Sequence, residues 1–236
     1  MKKDSLPYVL GFMLAISVFF GTGVSLVHHG TKDMLARNEQ LHRNRTIAQA
    51  FDLSVEGRDA EAFAAAVREH VRETALSTDQ RTWAVFERIT DANDPADGRP
   101  DDEIGDHPQD QGADVGFIFQ GQGVWDLIRG IIVLSPDLTT VRSIRFLQHA
   151  ETPGLGGRIE EEWFTDQFQG LTIAWERPRD SRVLVGASLD PNAANRVDAI
   201  AGATQTSQAL MRMLNSELTL FREAWTARNP NESRED

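Results

Sequence analysis

The chain predicts an α+β fold: a mostly antiparallel twisted sheet with flanking helices, preceded by one N-terminal transmembrane helix. Three observations predict it. The first is an uncharged apolar run close to the N-terminus. The second is a series of short strand-like segments between residues 82 and 188, separated by turns rich in Gly, Pro and Asp. The third is a long amphipathic pattern that begins after Thr204. Short strands joined by tight turns, with few helices among them, favour antiparallel pairing.

Tyr8 to Val27 reads YVLGFMLAISVFFGTGVSLV, twenty residues without a formal charge. At about 1.5 Å per residue, a helix of this length reaches about 30 Å, one bilayer core. Lys2 and Lys3 precede it, and Lys32 and Arg37 follow it, so the flanking charges argue orientation only weakly. A cleaved signal peptide is the competing reading. The run is long for one, and no small-x-small cleavage site follows it. Residues 1–30 are therefore expected to be a retained, single-pass anchor in the lipid bilayer.

Residues 31–114 read as a stalk, a helical arm and an acidic loop. Thr31 to Ala50 is polar and continues as helix or stalk. Asp59 to Leu76 reads as a helix, with Phe63, Val67 and Val71 at four-residue spacing. Thr82 to Thr90, with Trp83, Val85, Phe86 and Ile89, reads as a strand. Asp91 to Asp114 is dense in Asp, Gly and Pro and reads as a surface loop. Its acidic residues lack the spacing of an EF-hand loop, which favours a solvated loop over a cation site.

The main domain is expected over residues 115–228. Val115 to Gln120 and Ile128 to Leu134 read as strands around the Gly-marked turn Gln120 to Trp125. Ser135 to Leu138 is a turn, and Val141 to Gln148 alternates as a strand with one better-buried face. Glu160 to Phe168 suits a short helix with Trp163 and Phe164 facing inward. Leu171 to Trp175 and Arg182 to Ser188 read as strands flanking the turn Arg177 to Asp180. The last helix carries Leu210, Leu214, Leu218, Phe221 and Trp225 as one stripe. Residues 229–236 form a polar tail.

Formal net charge is −12, and because Lys2, Lys3 and Asp4 give the first 30 residues +1, the remainder carries −13. So acidic a domain lacks the positive footprint that nucleic acid demands. There is no cysteine, which excludes disulfides, thiolate zinc, cysteine-ligated clusters and thioether haem within the chain. His28, His29, His42, His70 and His107 are scattered, and no metal site is expected from them. No P-loop or Rossmann fingerprint appears, so NADH is not expected to bind here.

Two stretches stand out beyond the fold. In Asp198-Ala-Ile-Ala-Gly-Ala-Thr-Gln-Thr-Ser207, small residues and hydroxyls lead directly into the last helix. Free N–H groups and the positive end of the helix dipole favour a phosphate there. Gly202 and Ala203 allow close approach to the backbone, and Thr204 and Thr206 supply hydroxyls. A plain helix cap is the simpler alternative. The other stretch is His149-Ala-Glu-Thr-Pro-Gly-Leu-Gly-Gly157, a sharp loop at a strand end.

These two stretches, in this order behind an anchor, resemble the covalent-FMN-binding domain family of respiratory complexes. Its members include a flavin-carrying subunit of the sodium-translocating NADH:quinone reductase and its counterpart in the Rnf-type ferredoxin:NAD electron-transport complex. Gly121-x-Gly-x-Trp125, with Asp137 and Thr140-Val141, looks more like the former. The resemblance covers about Val115 to Trp225 plus the anchor. It implies that a flavin transferase, using FAD, joins FMN by a phosphoester to Thr204, the last threonine of the Asp-x-x-Ser/Thr-Gly-Ala-Thr pattern. Asp198, Gly202 and Ala203 match that pattern, whereas Ala201 replaces its usual Ser or Thr. Thr206 lies beside the site.

The resemblance also places the loop of Glu151, Thr152, Gly154, Leu155 and Gly156 against the flavin, with polar contacts from Glu151 and Thr152 and an apolar one from Leu155. Trp125 either stacks near the ring or fills the core, and a lone Trp beside a strand favours the core. His149 reads as a structural histidine. The implied protein is an electron-transfer subunit of the bacterial inner membrane, with its soluble domain in the periplasm. It works beside other membrane subunits and is not an NADH oxidase alone. Two alternatives stand beside it: the Rnf-type counterpart, and an anchored binding or assembly protein without flavin.

Overall fold

The apolar run lies in a helix, α1 (Leu6–Ala50). The computed structural model describes residues 6–79, 81–89, 112–186 and 192–228. The chain divides into two compact units, 1–42 and 43–236. In the first, an 18-residue window of α1 reaches a mean hydropathy of 2.1 with none of it buried, which is long and apolar enough to cross a membrane. The acidic stretch at 90–111, Ala187 and Ser188, and the tail from 229 lie outside the described residues.

In the second unit the end of α1 serves as core. Ile47, Ala50 and Phe51 pack with Val71, Phe86, Ile131 and Val133. The helix end is tied twice: Ser143 Oγ donates to the Ala50 carbonyl at 2.5 Å, and the Arg88 guanidinium donates to the Phe51 carbonyl. Helix α2 (Ala60–His70) follows, capped by Asp59, whose Oδ1 accepts the Ala62 N–H at 2.8 Å.

Helix α2 stops short of the Leu76 expected from the spacing. Val71 is already extended, and β1 (Val71–Ser77) pairs along its whole length with β2 (Thr82–Arg88). The ladder offers these residues the backbone partners that a longer helix would have offered. It also sends Val71 and Leu76 to opposite faces of the sheet, into separate apolar clusters. A four-residue spacing reads equally well as alternate strand positions, so Val67 and Val71 do not distinguish the two.

The sheet continues with β3 (Val115–Gln122), β4 (Leu127–Leu134), β5 (Thr140–Gln148) and β6 (Leu171–Thr172), six antiparallel strands in chain order. Strands β3 and β4 are apolar on both faces. Phe117, Phe119, Ile128 and Ile132 face one cluster, and Ile131 and Val133 the other. Strand β5 carries two register shifts against β4. The shift beside Arg142 lets Val141 join Ile144 and Phe146 in one cluster, although simple alternation puts Val141 on the other face.

Past β5, 3-10 turns flank the single turn of α3 (Glu162–Thr165). Phe164 and Phe168 are buried. Trp163 is not: it is 41% exposed, with the Arg158 guanidinium 4.9 Å over its ring and its Nε1 donating to Glu161. Adjacent residues on a helix point about 100° apart, and in this single turn Phe164 takes the inward direction while Trp163 lies at the side under Arg158. The strand expected to Trp175 ends at Thr172, and the Trp175 Nε1 donates to the Leu138 carbonyl at 2.8 Å. The strand expected from Arg182 is present as β7 (Leu184–Val185), which pairs in parallel with β8 (Arg196–Val197), a strand the sequence does not announce.

Helix α4 (Thr204–Arg228) lies across this sheet and buries the expected stripe of Leu210, Leu214, Leu218, Phe221 and Trp225. Phe221 stacks on Phe117 with centroids 3.9 Å apart and meets Trp83 edge-on. Buried Asn215 accepts the Val183 N–H at 2.9 Å and donates to the Val183 carbonyl at 2.8 Å, which locks α4 to the residue before β7. Glu217 is buried beside Arg81, which donates to its carboxylate, and Trp83 Nε1 donates to it at 3.3 Å. Burial pushes the Glu217 carboxyl above the usual glutamate range, and Arg81 and Trp83 offset that only in part.

Phe221→Ala is expected to lower unfolding free energy by about 3–5 kcal/mol in urea titrations, because a stacked core ring leaves a cavity. A carboxyl raised by folding contributes stability fully below its ordinary pKa, and that contribution is lost as pH rises through the raised value. The thermal midpoint of Glu217→Gln relative to the native chain is therefore expected to climb as pH rises above the ordinary glutamate range. A flat difference contradicts the assignment.

Candidate functional site

Three segments converge beside the start of α4. The first is the tight turn after β3, closed by Gly123 N–H donating to the Asp126 carbonyl at 2.9 Å. The second is the loop after β5, where the Thr152 carbonyl accepts N–H groups from Leu155 and Gly157 at 3.1 and 3.0 Å. The third is the turn into α4. There Ala203 N–H donates to the Ile200 carbonyl, Ser207 N–H to the Ala203 carbonyl, and Ile200 N–H to Ser207 Oγ. Gly202 holds a φ of +77° in that turn, a conformation that β-carbons disfavour.

Glu151 joins the three. It is only 4% exposed. One oxygen accepts the Val124 N–H at 2.7 Å and lies 3.4 Å from the Trp125 N–H. The other accepts the Thr206 hydroxyl at 2.6 Å. Its own N–H donates to His149 Nδ1 at 3.3 Å, and His149 Nε2 lies 3.3 Å from the Glu160 carboxylate. His149 thus props the loop, as a structural histidine does.

Around this joint the surface is apolar and open. Trp125 is 70% exposed, which overturns the expectation that it fills the core. Its backbone is pinned by Glu151 and its indole Nε1 donates to Thr152 Oγ1 at 3.1 Å, so the ring is held outward by two bonds. Leu155 is 45% exposed, and its Cδ2 would lie 3.2 Å from a β-carbon at Gly202. Thr204, the first residue of α4, is exposed, while Ala203 and Thr206 on either side are buried. Gly154 turns the loop at a φ of +75°, and Gly156 is buried against Glu151 and Thr206.

Asp198 is tied elsewhere. Its carboxylate accepts from the Arg196 guanidinium, and its N–H donates to Gln167 Oε1 at 2.7 Å. Sequence reasoning missed Gly123, the Val124 N–H and Ser207. The first was visible in the Gly-x-Gly pattern. The other two act through a backbone group and a local cap that no spacing announces. Among the described residues, no group of three or more His, Cys, Asp or Glu is placed to hold a metal ion.

Comparison with known proteins bears directly on this site. Residues 123–219 match the model of the FMN-binding domain. The match begins at the Gly123 turn and ends within α4, so it contains all three converging segments. The NqrC subunit of the Na(+)-translocating NADH-quinone reductase of Vibrio alginolyticus is 25% identical over 227 residues, covering 89% of each chain. The same subunit of Pseudomonas aeruginosa is 36% identical over 100 residues, 41% of this chain and 38% of its own.

The fold has relatives among solved structures. One is the NqrC subunit of the Na(+)-translocating NADH-quinone reductase of Parabacteroides distasonis, with a TM-score of 0.62 at 20% identity over 83% of this chain and 96% of its own. Another is NqrC of Shewanella oneidensis, with a TM-score of 0.61 at 17% identity over 80% and 99%. The antiparallel sheet and flanking helices are therefore the architecture of this group.

The packing at Gly156 yields a sharp expectation. A β-carbon there would lie 2.4 Å from Thr206 Oγ1 and 2.7 Å from a Glu151 oxygen. Gly156→Ala is expected to destabilise the domain by about 1–3 kcal/mol in chemical unfolding, by overpacking. An unchanged midpoint and slope would show that the loop yields freely.

Proposed function

We propose that this chain is a membrane-anchored electron-transfer subunit that carries one FMN, esterified to Thr204, in a sodium-translocating NADH:quinone reductase. The observation that carries the reading is the exposed Thr204 at the start of a 25-residue helix, within the segment that matches the FMN-binding domain. The similarity to the Vibrio alginolyticus protein over 89% of both chains supports the choice of complex.

The residues present suit the group. The N–H groups of the first turn of α4 have no partners within the helix, and with the helix dipole they favour a phosphate on Thr204. The left-handed Gly202, two residues before that hydroxyl, adds no side chain to the turn. Exposed Trp125 and Leu155 offer apolar faces to a flat ring, and Thr152 holds the indole in place. In attachment, Thr204 Oγ1 bonds to the flavin-side phosphorus of FAD. The pyrophosphate P–O bond breaks, AMP leaves, and the hydroxyl proton passes to a base of the transferase. Ala201 withholds one hydroxyl from this turn and leaves the acceptor in place.

When bound, FMN supplies the redox chemistry, and the protein supplies position and surroundings. In this reading α1 anchors the chain in the bacterial inner membrane and residues 115–228 are the flavin domain on the periplasmic side. Electrons come from a membrane partner and go to another flavin subunit. The reaction with NADH belongs to the assembled complex. A covalent bond keeps the cofactor from loss, and an anchor keeps it near its partners.

Coexpression with a flavin transferase tests this. The denatured chain is expected to give a fluorescent band on a gel under ultraviolet light, and Thr204→Val is expected to abolish it. A dark band beside a loaded control acceptor contradicts the reading.

A further inference from the structure

The resemblance places Glu151 against the flavin, yet both of its oxygens are already committed. One holds the Val124 N–H, and the other holds the Thr206 hydroxyl at 2.6 Å. A buried carboxylate is costly unless it is hydrogen-bonded, and this one is enclosed closely. A β-carbon at Gly123 would lie 2.5 Å from its Oε1, and one at Gly156 would lie 2.7 Å from its Oε2. Two positions thus lack side chains where this side chain passes. The two threonines of the α4 turn have opposite surroundings. Thr204 is exposed, whereas Thr206 is buried with its proton directed at Glu151.

We infer that Glu151 and Thr206 form a positioning pair that selects Thr204 as the acceptor. The pair does two things. It pins the first turn of α4 to the Gly123 turn, so that the Thr204 hydroxyl is presented in one orientation. It also withholds the neighbouring hydroxyl, since Thr206 is buried and its proton is engaged. The first turn of a helix otherwise frays, and a fraying acceptor would spend little time in line with a phosphorus atom. Glu151 acts through Thr206 and is not itself a catalytic residue. This inference rests on the reading of Thr204 as the flavin acceptor.

The test uses the unloaded full-length chain in detergent with flavin transferase and FAD, at a temperature below every variant's measured thermal midpoint. The rate of growth of covalent flavin fluorescence is read, and peptide mapping locates the flavin. Glu151→Ala and Thr206→Val are each expected to load about tenfold more slowly than the native chain. Thr206→Ser and Glu151→Gln are expected to restore loading. Gln keeps an oxygen for the Val124 N–H and an amide that donates to the Thr206 hydroxyl. The double variant Glu151→Ala/Thr206→Val is expected to load no more slowly than the slower single variant, because both changes remove one shared contact.

Native rates in Glu151→Ala and Thr206→Val overturn the pairing and leave the acceptor reading intact. A Glu151→Gln variant as slow as Glu151→Ala also overturns it, because charge rather than position would then be required. Failure of the native chain to load, beside a control acceptor that does, overturns the acceptor reading and the pairing together.

Discussion

The site depends on one buried carboxylate. Glu151 joins a turn, a loop and a helix that are far apart in sequence, through strong acceptor oxygens enclosed by the protein. Buried hydrogen bonds of this kind cost most when one partner is removed and the other is left without one. The sheet and α4 fix where the three segments emerge. Glu151 fixes how they meet, and Gly123 and Gly156 leave it room. Everything exposed around it, including Trp125, Leu155 and Thr204, takes its direction from this joint.

The scaffold behind the joint is built for rigidity. Central strands β3 and β4 are buried on both faces, and α4 closes one face with a stacked aromatic column of Phe117, Phe221 and Trp225. Asn215 locks the middle of α4 to Val183, beside β7. The last turn of α1 and the residue after it close the opposite face through Ile47 and Phe51. A site set at the end of a helix held this way has little freedom to drift, which suits the proposed cofactor, whose work depends on position and surroundings.

Much of this is legible in the sequence, for identifiable reasons. The stripe of α4 follows a 3.6-residue period over many turns, and the strands β2 to β5 are bounded by clear turn residues. The turn into α4 is visible because Gly202, Ala203 and Thr204 precede that stripe directly. Sequence and structure part where local pattern is ambiguous or where a long-range contact decides. Val71 ends a plausible helix and begins a strand because β2 is there to pair with it. Val141 crosses faces through a bulge that alternation does not encode. General grounds favour a core position for Trp125, but bonds from Glu151 and Thr152, distant in sequence, hold it in the open. The role of Glu151 itself needs the fold, since nothing in the spacing of residues 151 and 206 announces a contact.

The central claim concerns one oxygen atom. Mass spectrometry of the peptide spanning Thr204, from protein matured with a flavin transferase, tests it most directly. The account predicts a peptide heavier by one FMN less one water, with fragmentation placing the addition on Thr204 and none on Thr206. An unmodified peptide from a fully folded chain, or an addition on Thr206, would contradict it.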